Sequence, residues 1–202
     1  AKSRFTLQSC YATSPNGIHW DKPDLGLIPY KGSLANNIFG SGRWLQSVVY
    51  VPPHQEPDDG RRYKMFAWDT GGYQVAFSAD GIHWTDYPDN PVWRISGDVA
   101  PTIYDELAGQ HISFAKVNDE YEGYRRRLVG RGTSQDFVHW SDPQLILRPD
   151  DEDEGWTLGR PGHHTQFYGL CGFPYAGMYL GLLWVFRVTG KVPGGTHYGG
   201  IH

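Results

Sequence analysis

One seven-residue unit recurs three times, and it constrains the fold more than any other feature of the chain. Ser14-Pro15-Asn16-Gly17-Ile18-His19-Trp20, Ser78-Ala79-Asp80-Gly81-Ile82-His83-Trp84 and Ser134-Gln135-Asp136-Phe137-Val138-His139-Trp140 align residue for residue. The copies lie roughly sixty residues apart, a spacing that fits one small sheet per repeat. Each follows a strand-like run: Ser9 to Thr13, Tyr73 to Phe77, and Arg127 to Thr133. Asn16, Asp80 and Asp136 can fold their side chains back onto the turn's backbone N–H groups. Gly17 and Gly81 supply positive φ at little steric cost. Phe137 lacks that freedom, so the third turn is expected to differ in detail. Ile or Val and then Trp alternate with His, as in a half-buried strand, which predicts that each Trp packs between neighbouring sheets. His19, His83 and His139 belong to the repeat and read as solvated or edge positions.

The chain between the copies fills in four strands per cycle. One cycle reads Leu45 to Val51, Arg62 to Trp68, Tyr73 to Phe77 and Ile82 to Thr85. The next reads Pro101 to Tyr104, His111 to Lys116, Arg127 to Gly132 and Val138 to Trp140. Breakers such as Pro52-Pro53, Asp58-Asp59-Gly60 and Gly71-Gly72 separate them. A radial array of such sheets predicts an all-β fold, a β-propeller of four-stranded antiparallel blades. The N-terminal piece supplies a third and fourth strand, and His163 to Val188 supplies a first and second. The organisation is therefore a half blade over 1–37, blades over 38–96 and 97–150, and a half blade over 160–202. That amounts to about three blades' worth, so the chain reads as a fragment whose missing blades come from a longer parent chain or from another copy. Exposed sheet edges would then be a solubility liability.

Composition agrees with short strands and tight turns: aromatics make up 15% of the 202 residues, with 26 Gly and 14 Pro. A formal net charge of -4 gives no electrostatic reason to expect nucleic acid or an anionic membrane as partner. No apolar run is long enough for a membrane-spanning helix, and Ala1-Lys2-Ser3-Arg4 leads into a strand-like run rather than a signal peptide. Cys10 and Cys171 sit in apolar strand-like contexts and read as buried free thiols.

Several segments together resemble bacterial five-bladed β-propeller proteins related to glycoside hydrolase families 32 and 43. They are Ser14 to Gly32 with Asn36-Asn37-Ile38, Arg62-Tyr63-Lys64-Met65-Phe66, Gly97-Asp98 opening an inner strand, and Phe173 to Trp184. The resemblance implies a carbohydrate partner, hydrolysis of a glycosidic bond in an oligo- or polysaccharide, and a secreted or periplasmic location. It also implies three carboxylates around a central pocket, each from the inner strand of a different blade. One carboxyl must protonate the leaving oxygen while another, ionised, acts on C1 or on water. Asp98, just before the inner strand Val99 to Tyr104, matches the orienting carboxylate of the second blade. Its alternative role is to cap a turn after Gly97. The strand Trp44 to Val51 contains no carboxylate. The strand Gly162 to Gly172 offers His163, His164, Thr165 and Gln166 where an acid would be convenient, which leaves the general acid unassigned. Non-catalytic sugar binding and a protein-interaction scaffold are the alternatives.

The other candidates each have a plain structural alternative. His163 and His164, the adjacent histidine pair, with Gln166 beside them, can line a pocket or serve packing. No third ligand at a recognisable spacing supports a metal. Arg43, Trp44 and Trp93 can donate to hydroxyls or stack on sugar rings, against core packing for each Trp. Asp69 can face the pocket or close a hairpin. Asp150 to Glu154, five acids in a row, can hold Ca²⁺ or form a solvated loop; no other cofactor is implied. Arg125-Arg126-Arg127 is expected to pair with acids such as Glu120 and Glu122. No dinucleotide-binding, P-loop or nucleophile-elbow pattern is present.

Overall fold

A computed structural model describes residues 7–69, 71–95, 97–190 and 198–201. The chain forms two compact units, Ala1–Pro91 and Val92–His202. Among the described residues no helix is long and apolar enough to cross a membrane.

In the first unit β1 (Gln8–Cys10) pairs antiparallel with β2 (Ile38–Ser41). A second sheet follows as a simple meander, β3 (Trp44–Tyr50), β4 (Tyr63–Asp69), β5 (Gly72–Ser78) and β6 (Thr85–Asp86), in that spatial order. Alternation along β4 sends Met65 and Ala67 to one face. There they meet Ala76, with Phe39 from β2 and Leu45 and Trp84 packed against them. Phe66, fully buried, goes to the opposite face and stacks on Tyr73 with ring centres 4.7 Å apart.

In the second unit β7 (Thr102–Asp105), β8 (Gln110–Tyr121), β9 (Tyr124–Ser134) and β10 (Gln144–Leu147) make another four-stranded meander. Then α1 (Asp151–Glu154) leads to β11 (His164–Tyr175), β12 (Met178–Gly190) and β13 (Tyr198–Ile201). The two sheets of this unit share a core. Ile112, Phe114 and Val129 of one close on Phe167 and Leu170 of the other, with Ile103, Leu183 and Val185 at the margin. Gly172 allows this approach, since a Cβ there would lie 2.5 Å from the Phe114 ring. The meandering four-stranded sheets are the blades expected from the repeat, and the fold is all-β apart from short helical turns.

The recurring unit is one hydrogen-bonded turn built three times. The Ser14, Ser78 and Ser134 hydroxyls accept from the N–H of Gly17, Gly81 and Phe137, each at 2.8 Å. One side-chain oxygen of Asn16, Asp80 or Asp136 accepts from the two N–H groups that follow, at 2.8 to 3.0 Å. The indole N–H of Trp20, Trp84 and Trp140 donates back to the carbonyl of residue 17, 81 or 137.

Five expectations need correction. The Ile-His-Trp segment is part of this turn and not a strand; the outermost strands are Thr85–Asp86 and Gln144–Leu147, further along the chain. The indole bond curls the segment back on itself, which strict alternation cannot reveal. The third turn does not differ: Phe137 takes φ 70°, beside 73° at Gly17 and 77° at Gly81. Trp84 and Trp140 pack in apolar surroundings, but Trp20 keeps the indole bond with 58% of its surface exposed. The C-terminal sheet also has a third strand, β13, beyond the two expected. Both cysteines are free thiols, but Cys10 is exposed and Cys171 half-buried, not buried.

Candidate functional site

Asp98 owes its place to the residue before it. A Cβ at position 97 would lie 1.8 Å from the carbonyl oxygen of Lys116, so only glycine fits where the chain crosses β8. Beyond that crossing the ladder begins, with Lys116 N–H donating to the Val99 carbonyl at 2.7 Å and Phe114 N–H to Pro101 at 2.9 Å. The chain direction then sets the Asp98 carboxylate against the Lys116 ammonium in an ion pair. The Lys116 side chain is buried while that of Asp98 is 30% exposed. Among the described residues Asp98 takes no other side-chain bond.

Strand register brings further polar groups beside this pair. Lys116 stands opposite Val129 and Asn118 opposite Arg127, so Lys116 and Arg127 are diagonal neighbours on one face of the hairpin. Both cations reach the ring of Tyr168 on β11, at 4.5 Å for Lys116 and 5.2 Å for Arg127. Arg127 donates to the side-chain oxygen of Gln166. The Gln166 amide in turn meets Nε2 of His164 at 2.9 Å. His164 is held flat against Tyr124, ring centres 4.2 Å apart. Burial lowers the pKa of Lys116, with the Asp98 bond opposing the shift, and burial likewise lowers that of Arg127.

Three sequence candidates, Asp98, Gln166 and His164, thus belong to one row of polar side chains in the second unit. His163 stands apart: its ring lies beside Trp156, centres 5.6 Å apart, and its buried Nδ1 has no partner among the described residues. Trp93 is a core residue. It stacks on Trp140 at 5.3 Å, donates to the Ser141 carbonyl and lies over Gly132, where a Cβ would be 2.5 Å from its ring. The other three candidates belong to the first unit. Arg43 makes a two-pronged pair with Asp86, one bond at 2.7 Å, and Asp69 adds its charge to that guanidinium. Trp44, opposite Trp68 at the start of β3, is 42% exposed.

The acidic run forms a short capped helix rather than a loop. Asp150 caps α1, accepting from the N–H of Glu152 and Asp153, and Asp153 returns the bond to Asp150. Glu154 turns inward to pair with buried Arg126 and to accept from Thr165 N–H at 3.0 Å. Arg126 also pairs with Glu122, as expected, whereas Arg127 reaches Gln166 and not an acid. Among the described residues no group of three or more His, Cys, Asp and Glu side chains is arranged to hold a metal.

Lys116, Arg127 and Tyr168 escaped sequence reasoning. The available signals were a lysine at the end of the apolar run His111 to Lys116 and an arginine triplet opening a strand. Neither shows which neighbour it meets until the register is known.

No protein-family model matches this sequence, and no curated protein does. Solved structures do match. A Bombyx mori GH32 β-fructofuranosidase variant in complex with sucrose aligns at TM-score 0.54 and 16% identity, over 98% of this chain and 39% of that one. Another structure of that Bombyx mori enzyme aligns at TM-score 0.46 and 17% identity, over the same shares. A glycosyl hydrolase from Bacteroides ovatus aligns at TM-score 0.46 and 15% identity, over 91% of this chain and 55% of that one. This chain therefore spans about two-fifths of the length of the Bombyx mori enzyme. Over that length it shares its all-β fold of four-stranded antiparallel sheets with the GH32 β-fructofuranosidase.

Proposed function

We propose that this chain is carbohydrate-active and glycoside hydrolase-like, and that it takes part in cleaving a glycosidic bond of an oligo- or polysaccharide. The observation that carries the reading is the row Asp98, Lys116, Arg127, Gln166 and His164, set on a fold shared with a GH32 enzyme. Sugar recognition needs acceptors and donors in fixed positions beside aromatic surface. Asp98 supplies the acceptor: Lys116 holds one oxygen and the other can take a sugar hydroxyl. Arg127 supplies donors in a fixed fork. In this role Asp98 orients the sugar and a neighbouring carboxylate rather than delivering a proton.

Hydrolysis needs a second carboxyl group roughly 5–10 Å from the first. In the second unit Glu154 is engaged by Arg126, and the inner strand β11 presents Gln166 and His164 instead. That favours a second reading, in which this chain binds carbohydrate without cleaving it. A screen of oligo- and polysaccharides, scored for binding and for released sugar, separates the two. Under the leading reading Asp98→Asn lowers hydrolysis by about a hundredfold or more while the fold persists. Binding without release selects the second reading. An unchanged rate in Asp98→Asn removes that residue from the chemistry, and no sugar bound at all contradicts both.

A further inference from the structure

The charge balance around Tyr168 says more about the ligand than the hydrogen-bonding row does. Lys116 and Arg127 flank one phenol ring, the first buried and the second half-buried. Among the described residues of this unit, Asp98 is the one carboxylate whose charge reaches either of them. Its bond goes to Lys116. Arg127 has the neutral oxygen of Gln166 and the faces of Tyr168 and Phe186. Burial disfavours the charged form of both cations, and one carboxylate does not offset two. Positive charge left in a site partly withdrawn from water interacts strongly with any anion that enters. The hydroxyls of a neutral sugar would leave that charge in place. The remaining N–H groups of a guanidinium form a fork that fits a carboxylate, sulfate or phosphate group with two parallel bonds.

We propose that Arg127, with Lys116, forms an oxyanion subsite, so that the ligand is a glycan bearing a carboxylate, sulfate or phosphate group. The sugar part of this inference rests on the carbohydrate reading above; the anion part does not.

The test is titration calorimetry of the whole chain at fixed ionic strength. The probes are an oligogalacturonide, its neutral methyl ester, inorganic phosphate and inorganic sulfate. At least one acidic probe is expected to bind, the acidic glycan roughly tenfold or more tighter than its ester. Arg127→Gln should remove that preference, and Arg127→Lys, which keeps the charge but loses the fork, should remove part of it. Arg125→Gln, an exposed arginine on the same strand, should change nothing. Thermal melts establish that each variant is folded, and Arg127→Lys carries the test if Arg127→Gln is not. Equal binding of acid and ester overturns the anion subsite while leaving the carbohydrate reading standing. Phosphate or sulfate bound through Arg127 with neither glycan bound does the reverse. Anion binding that survives in Arg127→Gln, or no anion binding at all, overturns the inference.

Discussion

Phe137 holds the same left-handed backbone conformation as Gly81, φ 70° against 77°, and donates its N–H to the same position of the same turn. A phenylalanine there costs about 1–2 kcal/mol of backbone strain that glycine avoids. The side chain offsets it: Phe137 is fully buried, edge-on to His111 at 4.8 Å and to Trp140 at 5.7 Å. Burying a ring of this size contributes about 3 kcal/mol or more. Phe137→Gly is therefore expected to destabilise the protein although it removes strain, and Phe137→Ala to destabilise it further. Gly81→Ala should cost about 1 kcal/mol, because its added Cβ meets Tyr63 only at ordinary contact distance and the cost is conformational. Urea unfolding of the three variants measures the order.

The same turns make stability depend on acid. The side chain of His83, then the N–H groups of His83 and Ile82, hold the Asp80 carboxyl well below the usual carboxylate range. At Asp136 burial acts the other way, but His139 and the following N–H groups still bring its carboxyl far down. A carboxyl depressed on folding contributes stability that is complete above its unfolded pKa, about 4. That contribution is lost as pH falls from there through the folded value. Asn16 fills the same place in the first turn without titrating. The double variant Asp80→Asn, Asp136→Asn should lose less stability between pH 6 and pH 2.5 than the parent chain. Urea midpoints across that range check it.

Gly97→Ala tests how Asp98 is positioned. The new methyl group would meet the Lys116 backbone at an impossible distance, so the strand must move. Overpacking of this kind costs about 1–3 kcal/mol. It should also separate Asp98 from Lys116 and weaken ligand binding beyond what Asp98→Asn does alone. Calorimetric titration alongside urea unfolding distinguishes the two effects.

Arg126 and Glu154 tie α1 to the strands of the second unit. Among the described residues, Glu154→Gln leaves the buried guanidinium with the exposed Glu122 alone as counter-charge, and a loss of about 3 kcal/mol is expected. Because the acids of this run cap a helix and bind an arginine, adding Ca²⁺ should not raise the melting temperature. A calcium-dependent rise of several degrees would show that the run holds the cation.

What the sequence discloses depends on how local each interaction is. Ser14, Asn16, Gly17 and Trp20 bond within a few residues of each other, so their recurrence announces the turn and, with the runs between, the blades. The indole bond was hidden because Ile-His-Trp alternates just as a strand would. The left-handed conformation of Phe137 is held by tertiary packing against His111 and Trp140, which local propensity does not show. Of the polar row, only Asp98, Gln166 and His164 were legible in the sequence. Lys116 meets Tyr168 only when two sheets pack, and Arg127 meets Gln166 across 39 residues of chain. Trp93 lies in the core for the same reason, its partner Trp140 being remote in sequence.

The most direct test of the account is side-chain NMR of the Arg127 guanidinium and the Gln166 amide during titration with whichever oligosaccharide the binding screen selects. Both resonances should shift together along one saturating curve, and the Asp98→Asn variant should need much more ligand to reach it. Saturable binding that leaves both resonances unmoved would contradict the assignment of Asp98, Lys116, Arg127 and Gln166 as the carbohydrate site.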